Sequence, residues 1–311
     1  MTYKTNETYI TPISAIPRIL SPVKAKKSPE MLYCQPVINP HVQKGMEKTS
    51  IELQTAIRAA RAAGAVTLEK FGELSLPEIQ GKNFKDFVTE VDTTCEAVIS
   101  SIIAESFPED SMLCEEGTAV KGSSGRTWIV DPLDGTLNFI HSFPVFAISI
   151  ALKESNNELL AGVVYQPVLQ ELFTAERGKG AYLNGKKITI SSRSDKESFL
   201  IATGLPFTEY HYLEAYIGML KEVIHDSAGI RRAGSAAIDL AYTACGRFDG
   251  FWEYKLFPWD FAAGVLLVRE AGGTVTNFEG EHDVFQRQSI IAGNSVTHPL
   301  LLEKAKKYFS A

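Results

Sequence analysis

Asp131 and Asp134 stand three residues apart in Trp128-Ile129-Val130-Asp131-Pro132-Leu133-Asp134-Gly135-Thr136-Leu137-Asn138-Phe139. The apolar run reads as a buried strand that delivers Asp131 at its carboxyl end. Pro132 fixes one backbone angle and Gly135 permits a tight turn. Two carboxylates across such a turn converge on one point, where hard oxygen ligands suit Mg²⁺ or Ca²⁺ rather than zinc. Gly135 and Thr136 fall where a helix would begin, and N–H groups at a helix N-terminus bind phosphate oxygens. A cation site beside a phosphate site makes a centre for phosphoryl transfer or phosphate hydrolysis. Taken alone, Asp-Pro-x-Asp-Gly is also common turn chemistry.

Further acids strengthen the first reading. Glu115-Glu116 follows a buried strand, and Trp259-Asp260-Phe261-Ala262-Ala263-Gly264 sets an acid at a helix start. Asp92 closes the alternating stretch 86–92. Each has a bland alternative: Asp260 as an N-cap, Glu115-Glu116 as a solvated loop. Four such pieces in one chain point to a shared acidic centre. No cysteine lies in a phosphate loop, and the histidines form no triad. His141, just after the turn, reads as a loop residue.

These acids need elements to carry them. Helical spacing opens at Ser50 and runs to Phe71, closed by Gly72. A strand is expected over 86–92, a helix over 93–106, a strand over 111–114, and one ending at Asp131. Further strands are expected at 145–153, 159–166 and 171–176, then a hairpin punctuated by Asn184-Gly185. From 195 onward the texture alternates: strand 199–203, helix 207–225, strand 229–232, helix 235–245, strand 249–254, helix 260–271, strands 273–277 and 289–293, helix 297–309. That gives an α+β half over 46–194 and an α/β half over 195–311 that completes the site.

The composition agrees. The chain has 311 residues, 45% of them hydrophobic and 22% charged, which suits a soluble globular protein. No apolar run is long enough for a membrane span. Four cysteines without CxxC spacing argue against a disulfide framework and for a reducing, cytoplasmic setting. Residues 1–45 hold six of the fourteen prolines and a charge of +4, leaving 25 basic against 35 acidic residues beyond. The tail reads as disordered, with an organellar transit peptide as the lesser alternative. Met46 could serve as a natural start. An acidic body argues against nucleic acid as a ligand. It suits an anion held through cations.

With these residues in view, the sequence resembles the inositol monophosphatase family of lithium-sensitive, magnesium-dependent phosphatases. The stretches 128–139 and 259–264 carry its two signatures nearly intact, and 86–92 and Glu115-Glu116-Gly117 match two lesser ones in order and spacing. The resemblance covers about residue 50 to the end, leaving the tail without counterpart. It implies a layered α/β/α/β/α sandwich, usually a homodimer. It also implies Mg²⁺-dependent hydrolysis of a small phosphate monoester by two or three ions. Glu115, Asp131 and the Leu133 carbonyl match the ligands of the first ion, and Asp131, Asp134 and Asp260 those of the second. Glu116 matches a nearby acid outside the ligand set. Asp92 and Thr136 match the pair that orients and deprotonates the attacking water. Gly135 and Thr136 match the phosphate cradle, Ser235-Ala236 a helix start at the substrate, and Glu253 the acid that binds sugar hydroxyls. A site lysine is expected at Lys82 or Lys85, with Lys82 ranked first.

Within that superfamily, Leu137-Asn138 argues against nucleotide and histidinol-phosphate phosphatases, and Glu253 favours a polyol. The first expectation is hydrolysis of myo-inositol 1-phosphate, with a fructose bisphosphatase or other small sugar or nucleotide phosphatase behind it. A non-catalytic interaction protein that kept the fold comes last, since some bacterial relatives bind the transcription machinery and every metal carboxylate is present here.

Overall fold

Ser50 turns the chain into its first helix. Its Oγ accepts from Leu53 N at 3.2 Å, meeting one of the orphan donors of the first turn. The computed structural model describes residues 49–73, 79–83, 86–206 and 210–309. The expected tail and Lys85 lie outside these, and Lys82 is described only as backbone of a strand.

The helices are α1 (Ile51–Lys70), α2 (Glu90–Ser106), α3 (Thr136–Ile140), α4 (Leu213–His225), α5 (Ala236–Ala244), α6 (Pro258–Glu270) and α7 (Thr297–Phe309). A small pair, β1 (Ile79–Asn83) and β2 (Asp86–Thr89), precedes α2. The large sheet uses β3 (Ser111–Cys114), β4 (Ala119–Val120), β5 (Arg126–Asp134), β6 (Ala147–Glu154), β7 (Leu159–Gln166), β8 (Glu171–Glu176), β9 (Gly180–Leu183) and β10 (Lys186–Ile188). Its order is β10-β9-β8-β7-β6-β5-β3-β4. The second sheet runs β12-β11-β13-β15-β14, from β11 (Leu200–Thr203), β12 (Gly229–Arg231), β13 (Gly250–Tyr254), β14 (Thr274–Thr276) and β15 (Ser289–Gly293).

The expected five layers are present. One face of the large sheet, through Trp128, Val130, Ile148, Ile150 and Val163, buries against α1 and α2. Ile129, Ala147 and Val164 alternate to the other face and meet α5 and α6. The second sheet lies beyond, and α4 and α7 close its far side around Trp252, Tyr216 and Leu301. Burial on both faces explains why β5, β6 and β7 read as continuous apolar runs. Gly162 on β7 lets α6 approach closely: a Cβ there would stand 3.1 Å from the Ala263 carbonyl oxygen. Among the described residues no helix is long and apolar enough to cross a membrane.

Several boundaries differ from the sequence reading. Asp92 is not at the end of a strand; β2 stops at Thr89, and Asp92 sits in the first turn of α2. The cause is a capping box: Thr89 Oγ1 accepts from Val91 N, while Asp92 Oδ2 accepts from Thr89 N at 2.8 Å. Helix α6 starts at Pro258, not 260, because proline suits the first helical position. β5 continues past Asp131 to Asp134, and α4 begins at Leu213 rather than 207.

Candidate active site

Strands β3 and β5 run parallel with Cys114 opposite Val130. The next residue on each is an acid, so the register brings Glu115 beside Asp131 at the carboxyl ends of two neighbouring strands. Glu115 N donates to Val130 O at 3.1 Å, which keeps the pair in step past the last ladder position. On the other side Asp131 faces Ser149 of β6 and Asp134 faces Ala147, so three steps along β5 match two along β6. The extra residue makes a bulge at Pro132-Leu133, where a proline without N–H is tolerated. Leu133 N donates to Asp131 Oδ1 at 3.0 Å and tightens the turn.

The bulge aims Asp134 at the next layer. Its Oδ2 accepts from Ser235 Oγ at 2.6 Å and from Ala237 N at 2.7 Å, at the N-terminus of α5. Ser235 is also the N-cap, accepting from Ile238 N. Its hydroxyl is therefore committed to holding Asp134 and α5. Gly135 follows at φ +94°, a conformation that favours glycine; a Cβ would also stand 3.0 Å from Val145 O and 3.2 Å from Gly234 O. The chain then enters α3 at Thr136. Thr136 Oγ1 lies 2.9 Å from Asp92 Oδ1 and 3.1 Å from Leu133 O. Asn138 donates to the carbonyls of Val145 and Ala233, tying α3 to the loop before α5.

Asp260 comes from the first turn of α6. Its Oδ2 accepts from Phe257 N at 2.7 Å, and the carbonyl of neighbouring Trp259 accepts from Ser149 Oγ, the residue paired with Asp131. One hydrogen bond thus fixes α6 to the strand position opposite the central acid.

The electrostatics follow from this convergence. Burial, and then the charges of Glu115, Asp134 and Asp260, hold Asp131 well above the usual carboxylate range. Burial, Asp134 and Glu115 do the same to Asp260. Asp134 is pushed up to about 6 by burial, against the pull of Ser235 and Ala237. Asp134 and Asp260 keep some surface open to a cavity, with protein packed around their other sides. Among the described residues no group of three or more His, Cys, Asp or Glu side chains is arranged to hold a metal ion as it stands. One oxygen of each of Asp131, Asp134 and Asp260 is bonded within the protein, and Asp131 also meets the Glu115 side chain. Carboxylate oxygens beside a cavity with room for water suit Mg²⁺, which keeps much of its hydration.

The cavity, of about 160 Å³, is lined by Asp134, Arg232, Ser235, Ala236, Asp239, Glu253 and Asp260 among others. Glu253 is pushed up to about 8 by burial, offset by the charge of Arg232. Gly204 makes room for it: a Cβ there would fall 1.7 Å from Glu253 Oε1.

A family model described as the inositol monophosphatase family matches residues 50–310, nearly every described residue. The chain belongs to the inositol monophosphatase family. Among its relatives are the "Nus factor SuhB" of Escherichia coli, 46% identical over 243 residues and covering 78% of this chain and 91% of that one. The "Inositol-1-monophosphatase" of Mesorhizobium japonicum is 42% identical over 260 residues, 83% of this chain and 97% of that one. The crystal structure of extragenic suppressor protein suhB from Bartonella henselae superposes with TM-score 0.80 at 43% identity, covering 83% of this chain and 99% of that one.

For this family member the sequence reading missed two acids. Glu96 is 4% exposed and accepts from Glu116 N at 2.7 Å and Thr118 N at 2.9 Å, so it shapes the loop that presents Glu115. Asp239 lines the cavity. Both are lone acids inside helices, and only the tertiary arrangement shows what they serve. His141 is exposed at the end of α3, as expected for a loop residue.

Proposed function

We propose that this chain is a Mg²⁺-dependent phosphate monoester hydrolase whose preferred substrate is myo-inositol 1-phosphate. The observation that carries the reading is the meeting of Glu115, Asp131, Asp134 and Asp260, whose mutual repulsion a bound cation would relieve. Glu115, Asp131 and the Leu133 carbonyl would hold one Mg²⁺, and Asp131, Asp134 and Asp260 a second. Bound there, Mg²⁺ neutralises the charge of the phosphate and acidifies a water.

The chain's own groups do the rest. Thr136 Oγ1 donates to Asp92 Oδ1 and keeps a lone pair for a water proton, so the pair can orient the nucleophile and take its proton. Asp92 stands ready for this because its other oxygen is fixed by Thr89. Gly135 and Thr136 N–H are the proposed phosphate donors. Ser235 acts by holding Asp134, and Ala236 borders the cavity. Glu253 accepts ring hydroxyls, and the relative named inositol-1-monophosphatase supports that choice of substrate. A cytoplasmic homodimer belongs to the same reading, on the strength of the family resemblance.

A second reading draws on the relatives named Nus factor SuhB, at 46% identity: an interaction role in which catalysis is not the selected property. The full set of carboxylates supports catalysis instead. The test is phosphate release from inositol 1-phosphate, fructose 1,6-bisphosphate, phosphoadenosine phosphate and histidinol phosphate, with and without Mg²⁺. Inositol phosphate should lead, and only with Mg²⁺. A different leader overturns the substrate, and no release from any overturns the hydrolase.

A further inference from the structure

Helix α5 and strand β13 border the cavity, and they carry two carboxyl groups that the cation reading does not use. Glu253 is one. The other is Asp239, in the first turn of α5 and 1% exposed. Asp239 borders the cavity, and its Oδ1 has no hydrogen-bond partner among the described residues. Its backbone is ordinary helix; Asp239 N donates to Ser235 O. The side chain is what stands out.

Its surroundings sharpen the problem. Glu253 and Asp134 add negative charge, and Arg232 at the same cavity supplies the opposing positive charge. A buried carboxyl oxygen without a partner destabilises the fold, because its hydration is lost and nothing replaces it. Such a group in a folded protein calls for a specific reason, and one beside a cavity finds it in a ligand. The ligand must offer hydroxyl groups at neighbouring positions, one for each acid. A flat aryl ring or a bare alkyl ring has none.

We infer that Asp239 is a specificity-determining residue that pairs with Glu253 to read two hydroxyls of a polyol phosphate. This rests on the reading that the cavity takes such a substrate. Burial, with Glu253 and Asp134 nearby, also favours the neutral acid, which both donates and accepts. Asparagine is then its nearest mimic, with one oxygen acceptor and an amide donor in the same plane. A first-turn acid can also serve its helix dipole alone. That role would be indifferent to the substrate, so substrate comparison separates the two.

The experiment uses the full chain with saturating Mg²⁺ and two substrates, myo-inositol 1-phosphate and cyclohexyl phosphate. Both release a ring alkoxide, but only the first carries hydroxyls. The readout is the ratio of their kcat/KM values for wild type, Asp239→Ala and Asp239→Asn. Wild type should prefer inositol phosphate. Asp239→Ala should cut that preference about tenfold or more, chiefly through KM. Asp239→Asn should recover most of it. An unchanged preference in Asp239→Ala overturns the inference and leaves the substrate reading standing. Equal losses on both substrates, or no recovery in Asp239→Asn, assign Asp239 a structural role and also overturn it. A wild type without preference overturns the substrate reading and the inference with it. If Asp239→Ala does not fold, Asp239→Ser takes its place under the same criteria.

Discussion

Thr136 Oγ1 and Asp92 Oδ1 meet at 2.9 Å across 44 residues of chain. The contact joins the start of α2 to the start of α3, and it couples two groups that could share a water proton. Thr136→Ala should lower kcat by about 100-fold or more while KM moves little, since proton transfer is a transition-state task. Asp92→Asn should do the same and also weaken the cap of α2 by about 1 kcal/mol. A Thr136→Ala variant altered mainly in KM would remove the water-activating role.

Asp131 sits among three other acids, so its replacement should separate stability from activity. Asp131→Asn should abolish turnover and the Mg²⁺-induced rise in Tm. It should raise the Tm measured in chelator, because it deletes a buried charge that the others repel. Asp260→Asn should follow the same pattern. Differential scanning with and without Mg²⁺ checks both halves, and a retained Mg²⁺ shift would contradict the ligand assignment. Millimolar Li⁺ should inhibit the wild-type enzyme, and an unchanged rate across a lithium titration would count against the subfamily.

The raised acids give a pH dependence with a definite sign. Burial pushes Asp134 up to about 6 and Glu253 up to about 8 in the fold, whereas unfolded Asp and Glu lie at about 4. Between those values the native state binds protons that the unfolded chain has lost. The metal-free protein is therefore most favoured below about 4 in this respect and loses that stability as pH rises through 6 and 8. Mg²⁺ competes with the Asp134 proton, so its stabilising effect should grow as pH rises toward and through about 6. Tm measured from pH 5 to 9 in chelator and in Mg²⁺ should show the two curves diverging; parallel curves would contradict it.

Gly204 and Glu253 form a steric pair. In Gly204→Ala the new methyl would collide with the end of a flexible side chain, so Glu253 should swing away and the fold should hold. Turnover of inositol phosphate should fall severalfold more than that of an aryl phosphate, and Glu253→Gln should behave likewise. Equal losses on both substrates would show that Glu253 serves the cations or the fold instead.

The family match begins at residue 50, and no proposed ligand lies before it. A chain starting at Met46 should keep its kcat and Tm. A large fall in either would give residues 1–45 a part in the site.

The contiguous parts of the site were legible because strand, bulge and helix start are written side by side at 128–139. The layered fold followed from the resemblance those stretches carry, while the apolar runs of β5 to β7 and the alternation after residue 195 gave its strands and helices. The helix starts were read less well. Residues 86–92 alternate like a strand, yet Thr89 and Asp92 have capping-box spacing, and the reciprocal hydrogen bonds won over the alternation. Pro258 carried a similar signal two residues before Asp260. Glu96 and Asp239 left no mark, since a lone acid in a helix becomes a loop anchor or a cavity wall only through packing that a single sequence does not display.

The most direct test of the central claim is steady-state phosphate release from myo-inositol 1-phosphate by the purified wild-type chain, titrated with Mg²⁺ from a chelated start. The account predicts no turnover in chelator, saturable activation by Mg²⁺, and no activation in Asp131→Asn. Turnover in chelator, or an Asp131→Asn enzyme that Mg²⁺ still activates, would contradict it.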